Sequence, residues 1–365
     1  MYRGQTSTRG RILSYEAELN EVIASIVPTD PSAEAAAWAR LDNLTKPPRS
    51  LGRIEELAAR VARVQGTDRP SVEKKAILLM AGDHGVCAEG VAAYPQDVTW
   101  QMVANFVGKG AAINQFADSV RAEVLVHDVG VIRDLSDMPG VVIRKVAHGT
   151  QNMALGPAMT REQAAQAVMV GVQAARDAVA AGVELIGTGD MGIGNTTPAS
   201  ALTAVFTDTE PAAVCGRGTG LDDAGVARKV AAVERALAIN EARDLDPLGV
   251  LAAVGGLEIA ALAGVVLGAA EQGVPVIFDG FISGSGALTA VRMAPDSADY
   301  LIPSHRSVEP GHSVQLEALG LEPVLELDMR LGEGTGSALT MSIIDASCRM
   351  LSGMATFAEA GVSDK

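Results

Sequence analysis

Positive charge is scarce in this sequence. Its 365 residues carry 29 Lys and Arg against 44 Asp and Glu, a formal net charge of −15. A face that neutralises nucleic-acid phosphates is therefore not expected, nor a basic face for a membrane surface. Cysteine is scarcer still. Cys87, Cys215 and Cys348 stand far apart, odd in number and without a C-x-x-C pair. That argues against a zinc site or a disulfide framework, and makes a reducing cytoplasm the expected compartment. The segment from Met1 to Val22 has no apolar h-region, so no secretory signal is expected. One long apolar run exists, Gly249–Ala270, but it carries Glu258 and repeated glycines. A helix buried beside a sheet fits it better than a membrane span. His84, His127, His148, His305 and His312 show no ligand spacing, so neither a metal nor another cofactor is expected.

Glycine is abundant, at 39 residues, against roughly 25 at the usual share of about 7%. Main chain is thereby free to approach ligands. The 48% hydrophobic content excludes a disordered chain, and the length suffices for a full core and about two domains.

Short apolar runs alternate with alanine-rich helical stretches. Strands are expected at 76–80, 124–127, 183–186, 274–278 and 324–327, most of them reading as buried on both faces. Thr160-Arg-Glu-Gln163 predicts a capping box opening a helix to about Ala181, and a second helix is expected over 256–271. The fold class is α/β, a Rossmann-like parallel sheet flanked by helices, doubly wound with right-handed crossovers. Residues 71–333 are expected to make up that α/β domain. Residues 31–70 form a small helical subdomain around the Lys46-Pro47-Pro48 break, joined by a C-terminal helix over 334–360. Residues 1–30 are expected to be a partly disordered extension.

After the third expected strand the chain reads Gly187-Thr-Gly189-Asp-Met-Gly192, with Asp208 and Glu210 further on. By pattern this is a dinucleotide fingerprint, and an NAD-dependent oxidoreductase is one reading. The helix, however, is expected only at Thr197-Pro198, with Thr197 as N-cap, too late for a dinucleotide turn. Glycines before a helix N-terminus suit a phosphate; a plain tight turn is the other option.

Seven segments in order resemble one family. They are Lys46-Pro-Pro-Arg-Ser-Leu-Gly-Arg53, Gly82-Asp-His-Gly-Val86, Glu89-Gly-Val91 with Tyr94-Pro95, Gly192-Ile-Gly-Asn-Thr-Thr-Pro198, Asp279-Gly-Phe281, Pro303-Ser-His305 and Arg330-Leu-Gly-Glu-Gly-Thr-Gly336. Over about residues 35–358 the chain is similar to the nicotinate-nucleotide–dimethylbenzimidazole phosphoribosyltransferases, which build the lower ligand of cobalamin. The resemblance implies transfer of the phosphoribosyl group of nicotinate mononucleotide to 5,6-dimethylbenzimidazole. The products are nicotinate and α-ribazole 5′-phosphate, with inversion at the anomeric carbon. It also implies a homodimer and no metal.

The resemblance makes Glu333 the catalytic base. The lone-pair nitrogen of benzimidazole attacks the ribose, and the product is cationic unless the other N–H is lost to a carboxylate. The pyridine nitrogen of the nucleotide is quaternary, so nicotinate departs without protonation. Asp190 stands where the family usually has glutamate, one methylene longer; it either faces the reacting centre or caps its loop. Phosphate and ribose fall to Gly192, Gly194, Asn195, Thr196, Lys229 and Ser307, with Ser304 as a further hydroxyl. Asp279 either binds ribose hydroxyls or caps a turn. The base pocket draws on Asp83, His84, Tyr94, Met102 and Leu331; Asp83 and His84 are equally readable as loop-structuring. A catalytically silent protein that binds nucleotides or flat heterocycles is the third class of reading. The preferred base is left open among benzimidazoles, purines and phenols.

Overall fold

A computed structural model of the chain describes residues 14–363. Of the expected N-terminal extension, residues 1–13 lie outside the described residues. In the rest, Tyr15–Ser25 is a helix, capped by the Ser14 hydroxyl on the Ala17 amide, with Leu19 and Val22 buried. Its apolar side chains hold it against the Arg161–Ala180 helix.

Six parallel strands form one sheet in the order β3-β2-β1-β4-β5-β6. They are β1 (Lys75–Gly82), β2 (Ala122–Gly130), β3 (Val141–Ile143), β4 (Leu185–Met191), β5 (Val276–Phe278) and β6 (Leu301–Pro303). This is the doubly wound order, and it reverses direction between β1 and β4, where such sheets bind ligands at their carboxyl ends. Successive β1 residues serve opposite cores. Ala76, Leu78 and Met80 pack into the core that holds the Arg161–Ala180 and Leu257–Glu271 helices. Ile77, Leu79 and Ala81 pack with Met341 and Ile344 of the Thr335–Gly353 helix. Both faces are covered, which is why β1 reads as a continuous apolar run.

Two expectations need correction. The run at 324–327 is not a strand; only Leu325 bridges, to His305, and Leu327 is exposed. The outer strands β3 and β6 span three residues each, too short for any periodicity to mark. Gly187 and Gly189, expected in a loop, lie inside β4. A Cβ on Gly187 would sit 2.9 Å from the Ser337 Cβ, and one on Gly189 would sit 2.6 Å from the Glu333 carbonyl oxygen. These glycines are therefore spaced for a helix and its leading loop to lie on the strand, not for a dinucleotide.

The capping box is present. Thr160 Oγ1 accepts from the Gln163 amide at 3.1 Å, and Gln163 Oε1 accepts from the Thr160 amide at 2.9 Å. The helix it opens crosses Leu257–Glu271 at backbone contact distance, because a Cβ on Gly264 would strike the Val168 carbonyl. The run over 249–270 is two buried helices, Pro247–Val254 and Leu257–Glu271. Among the described residues no helix is long and apolar enough to cross a membrane. Ala37, Leu41, Leu44, Ala58, Ala62 and Leu351 form a separate small core from the Pro31–Leu41, Arg53–Gln65 and Thr335–Gly353 helices. Beside it the Lys46 Nζ meets the buried Glu55 carboxylate at 2.9 Å.

Candidate active site

The carboxyl ends of β1, β4 and β5 deliver Asp83, Asp190 and Asp279 to one side of the sheet. Asp279 follows β5 directly and reaches the start of the Thr335–Gly353 helix. Its Oδ2 accepts from the Gly334 amide at 3.0 Å, and its Oδ1 from Gly336 at 2.7 Å and Ser337 at 3.2 Å. Both oxygens are taken up as a helix cap, the second of the two roles open to this residue. Burial pushes the carboxyl up to about 7, against the pull of those amides.

That cap shapes the loop carrying Glu333. Gly332, Glu333 and Gly334 have φ of 84°, 63° and 91°. Such values suit glycine; for Glu333 they hold about 1 kcal/mol or more of strain that the surroundings must sustain. Glu333 is 6% exposed, and its Oε2 has no partner in the protein. Burial raises its carboxyl above the ordinary value, and the Ile113 amide partly opposes this.

Asp190 lies directly beside this loop: a Cβ on Gly332 would be 3.3 Å from Asp190 Oδ2. Asn195 Nδ2 donates to that same oxygen at 3.1 Å, while Oδ1 is buried without a partner. The Asn195 side chain is thus spent on Asp190 instead of capping its own helix. That helix is Thr196–Phe206 with Asn195 at the N-cap position, so Thr197 and Pro198 lie inside it and not at its start. Burial, then the nearby Asp279, Glu258 and Glu333, push Asp190 well above the usual carboxylate range.

Lys229 is fully buried in the Asp223–Ile239 helix. Its Nζ donates to Thr196 Oγ1 at 3.0 Å and to the Gly216 carbonyl at 2.9 Å. Burial lowers its pKa. A cavity of about 480 Å³ opens beside Gly216, Arg217, Glu309 and Arg330.

A family model described as phosphoribosyltransferase matches residues 26–362. The chain is 53% identical over 347 residues to the nicotinate-nucleotide–dimethylbenzimidazole phosphoribosyltransferase of Chloroflexus aggregans, with 95% of this chain and 98% of that protein covered. The protein of the same name from Geobacter metallireducens is 53% identical over 344 residues, covering 94% and 98%. The crystal structure of the enzyme of that name from Thermus thermophilus superposes with a TM-score of 0.87 at 52% identity, covering 92% of this chain and all of the other. The chain belongs to the nicotinate-nucleotide–dimethylbenzimidazole phosphoribosyltransferase family.

In this family member two carboxylates stand in the site that were not among the residues singled out above. Glu258, in the first turn of Leu257–Glu271, holds His84 Nε2 at 2.6 Å, and both side chains are buried. Burial opposes a charge on His84, but Glu258 outweighs it and the pKa is raised. Gly192 sits on this pair, since its Cβ would be 3.1 Å from His84 Nε2 and 3.2 Å from Glu258 Oε1. A lone carboxylate in an otherwise apolar run was the available signal for Glu258. Glu309 accepts from the Gly218 amide at 2.8 Å, and Arg330 donates to the Gly218 carbonyl at 3.1 Å, so the 216–218 turn is clamped beside Lys229.

The remaining residues divide. Asp83 Oδ2 accepts from the Ile132 amide at 2.8 Å, tying the ends of β1 and β2 together. Gly194 has φ 88°, and a Cβ there would meet Cys87 Sγ. Ser307 Oγ accepts from the Glu309 amide at 3.3 Å, and Ser304 Oγ donates to the Asp279 carbonyl at 2.5 Å. Met102 is half-buried against the second core, whereas Tyr94 and Leu331 are exposed.

His305 and His312 flank the Ser307 turn, their rings 6.1 Å apart. His312 Nδ1 accepts from the Ser307 amide at 2.9 Å, which requires a neutral ring. Burial lowers His305 to about 4 and His312 to about 3. The unfolded chain binds protons at these rings near pH 6.5 that the folded chain refuses. Their contribution to stability is therefore complete above pH 6.5 and falls as pH drops toward 4, by about 1.4 kcal/mol per pH unit for each ring. Urea midpoints at pH 7 and pH 5 should differ less in His312→Asn than in the unmodified protein; an equal difference would refute this account.

Proposed function

We propose that the chain transfers the phosphoribosyl group of nicotinate mononucleotide to 5,6-dimethylbenzimidazole, releasing nicotinate and α-ribazole 5′-phosphate in assembly of the cobalamin nucleotide loop. The observation that carries the reading is Glu333, a buried carboxylate with an unpartnered oxygen on a strained loop at the sheet's switch point. The benzimidazole lone pair displaces nicotinate from C1′ from the opposite face, which inverts the anomeric carbon. Its other N–H gives its proton to Glu333. Asp190 faces the positive charge that the ribosyl group carries. The glycine backbone of 192–194 and the buried Lys229 hold the phosphate. Positioning two rings and one base suffices, so no protein nucleophile is required. Free thiols at Cys87, Cys215 and Cys348 suit a reducing cytoplasm, and a homodimer is the expected assembly.

Mixing the protein with both substrates and following products by chromatography with mass detection tests this. Nicotinate and α-ribazole 5′-phosphate should appear in equal amounts; nicotinate alone would indicate a hydrolase. Lys229→Met should raise KM for the nucleotide about 10- to 100-fold with little change in kcat, the loss expected for one charged hydrogen bond. An unchanged KM would remove Lys229 from phosphate binding.

A further inference from the structure

The site holds more buried carboxylates than it holds cations. Asp190, at the end of β4, lies beside the loop before Thr335–Gly353, where a Cβ on Gly332 would be 3.3 Å from its Oδ2. That loop carries Glu333 and is capped by Asp279 from the end of β5. Glu258 of the Leu257–Glu271 helix lies across Gly192, whose Cβ would be 3.2 Å from Glu258 Oε1. The start of the Thr196–Phe206 helix presents the neutral Asn195 amide. The end of β1 supplies Asp83 and His84, and His84 is committed to Glu258. The Cys87 thiol donates to the Ile193 carbonyl at 3.1 Å, and burial keeps it protonated, pushed up to about 12. His305 lies 3.9 Å from Asp279, with burial holding it neutral near pH 7. Lys229 is engaged by Thr196 and Gly216. Asp190 Oδ1, Glu333 Oε2 and Glu258 Oε2 have no partner in the protein. Buried carboxyls placed together cannot all ionise. Asp190, with the other three around it, is the one that most needs a proton.

We propose that Asp190 is a carboxylic acid in the unliganded site and exchanges its proton for the fixed positive charge of the incoming nucleotide. This rests on the functional reading above. The nucleotide's pyridinium brings one permanent positive charge at C1′. A charge of that sign against the cluster stabilises the Asp190 carboxylate, and its proton leaves to solvent. The C1′–pyridinium bond then breaks with its electron pair on the nicotinate nitrogen. The benzimidazole lone pair forms the new C1′–N bond, and the benzimidazole N–H proton passes to Glu333. With the fixed charge gone, Asp190 recovers a proton from solvent, and Glu333 releases its own. One turnover liberates one proton, as the chemical balance demands. The exchange keeps the cluster near one net charge throughout, where burial makes any excess costly.

The test is titration calorimetry at pH 7 without the acceptor base, in two buffers of different ionisation enthalpy. Nicotinate mononucleotide is compared with its 1,4-dihydropyridine form, which keeps the ribose and phosphate but has a neutral ring. Proton exchange at the phosphate is common to both and cancels. The cationic nucleotide should release about one proton per site more than the neutral one. Asp190→Asn should abolish the difference, and Asp190→Glu should retain it. Equal proton counts for the two nucleotides would overturn the proposal without any variant, and so would a difference that survives in Asp190→Asn. If neither nucleotide binds, the functional reading falls with it.

Discussion

Glu333→Gln should lower kcat by about 10²- to 10⁴-fold, the usual contribution of one positioned proton acceptor, with nucleotide affinity changed by less than about threefold. Glutamine keeps the shape of the side chain and its place in the left-handed loop, so the loss reports proton transfer and not folding. The carboxylate must be ionised to act as base. Because burial raises Glu333 above the ordinary value, the acid limb of the kcat profile should lie above pH 4.5 and vanish in the variant. A variant that keeps kcat within about tenfold would show that water, or a neighbouring carboxylate, takes the benzimidazole proton.

Asp279→Ala should cost stability and activity together. It strands the Gly334, Gly336 and Ser337 amides at a buried helix start, and each orphaned donor costs about 1–3 kcal/mol. Relief of a buried carboxyl partly offsets this, for a net loss of about 3 kcal/mol. The pH dependence follows from the raised value of about 7. An acid with a raised folded pKa binds its proton in the folded chain and not in the unfolded one between pH 3.8 and 7. The unmodified protein should therefore lead the variant by more at pH 5 than at pH 8, read from urea midpoints. Without the cap the loop loses three of the hydrogen bonds that sustain the positive φ of Glu333, and kcat should fall about 10²-fold, the cost of misplacing a reacting group by about 1 Å. A stable variant with full activity would show that the loop is held elsewhere.

The sites of these two predictions were unequally visible before the fold was known. Glu333 stands in a run of glycines that marks close backbone approach, and its chemistry follows from the resemblance. Asp279 offered two readings, and only its distance from the Gly334 amide separates them. Tyr94 and Leu331 stand exposed while Met102 is half-buried, and residue type and motif alone do not fix such differences in burial. The strands over 76–80 and 124–127 and the capping box at Thr160 were legible because each is a local pattern of burial or hydrogen bonding. Of β4 only the start, within 183–186, was legible, since the glycines that follow read as a loop and are there to admit the Thr335–Gly353 helix.

By itself the sequence determined the layered parallel architecture and the family, because periodicity, capping and contiguous motifs act over short stretches of chain. Only the tertiary structure decided that His84 meets Glu258 across 174 positions, and that Asp279 caps a helix 55 positions away. It also gathered Asp190, Glu258, Asp279 and Glu333 around the Gly192 and Gly332–Gly334 backbone. Such pairings leave no local trace. They arise where distant strand ends converge and burial makes every unmatched charge costly.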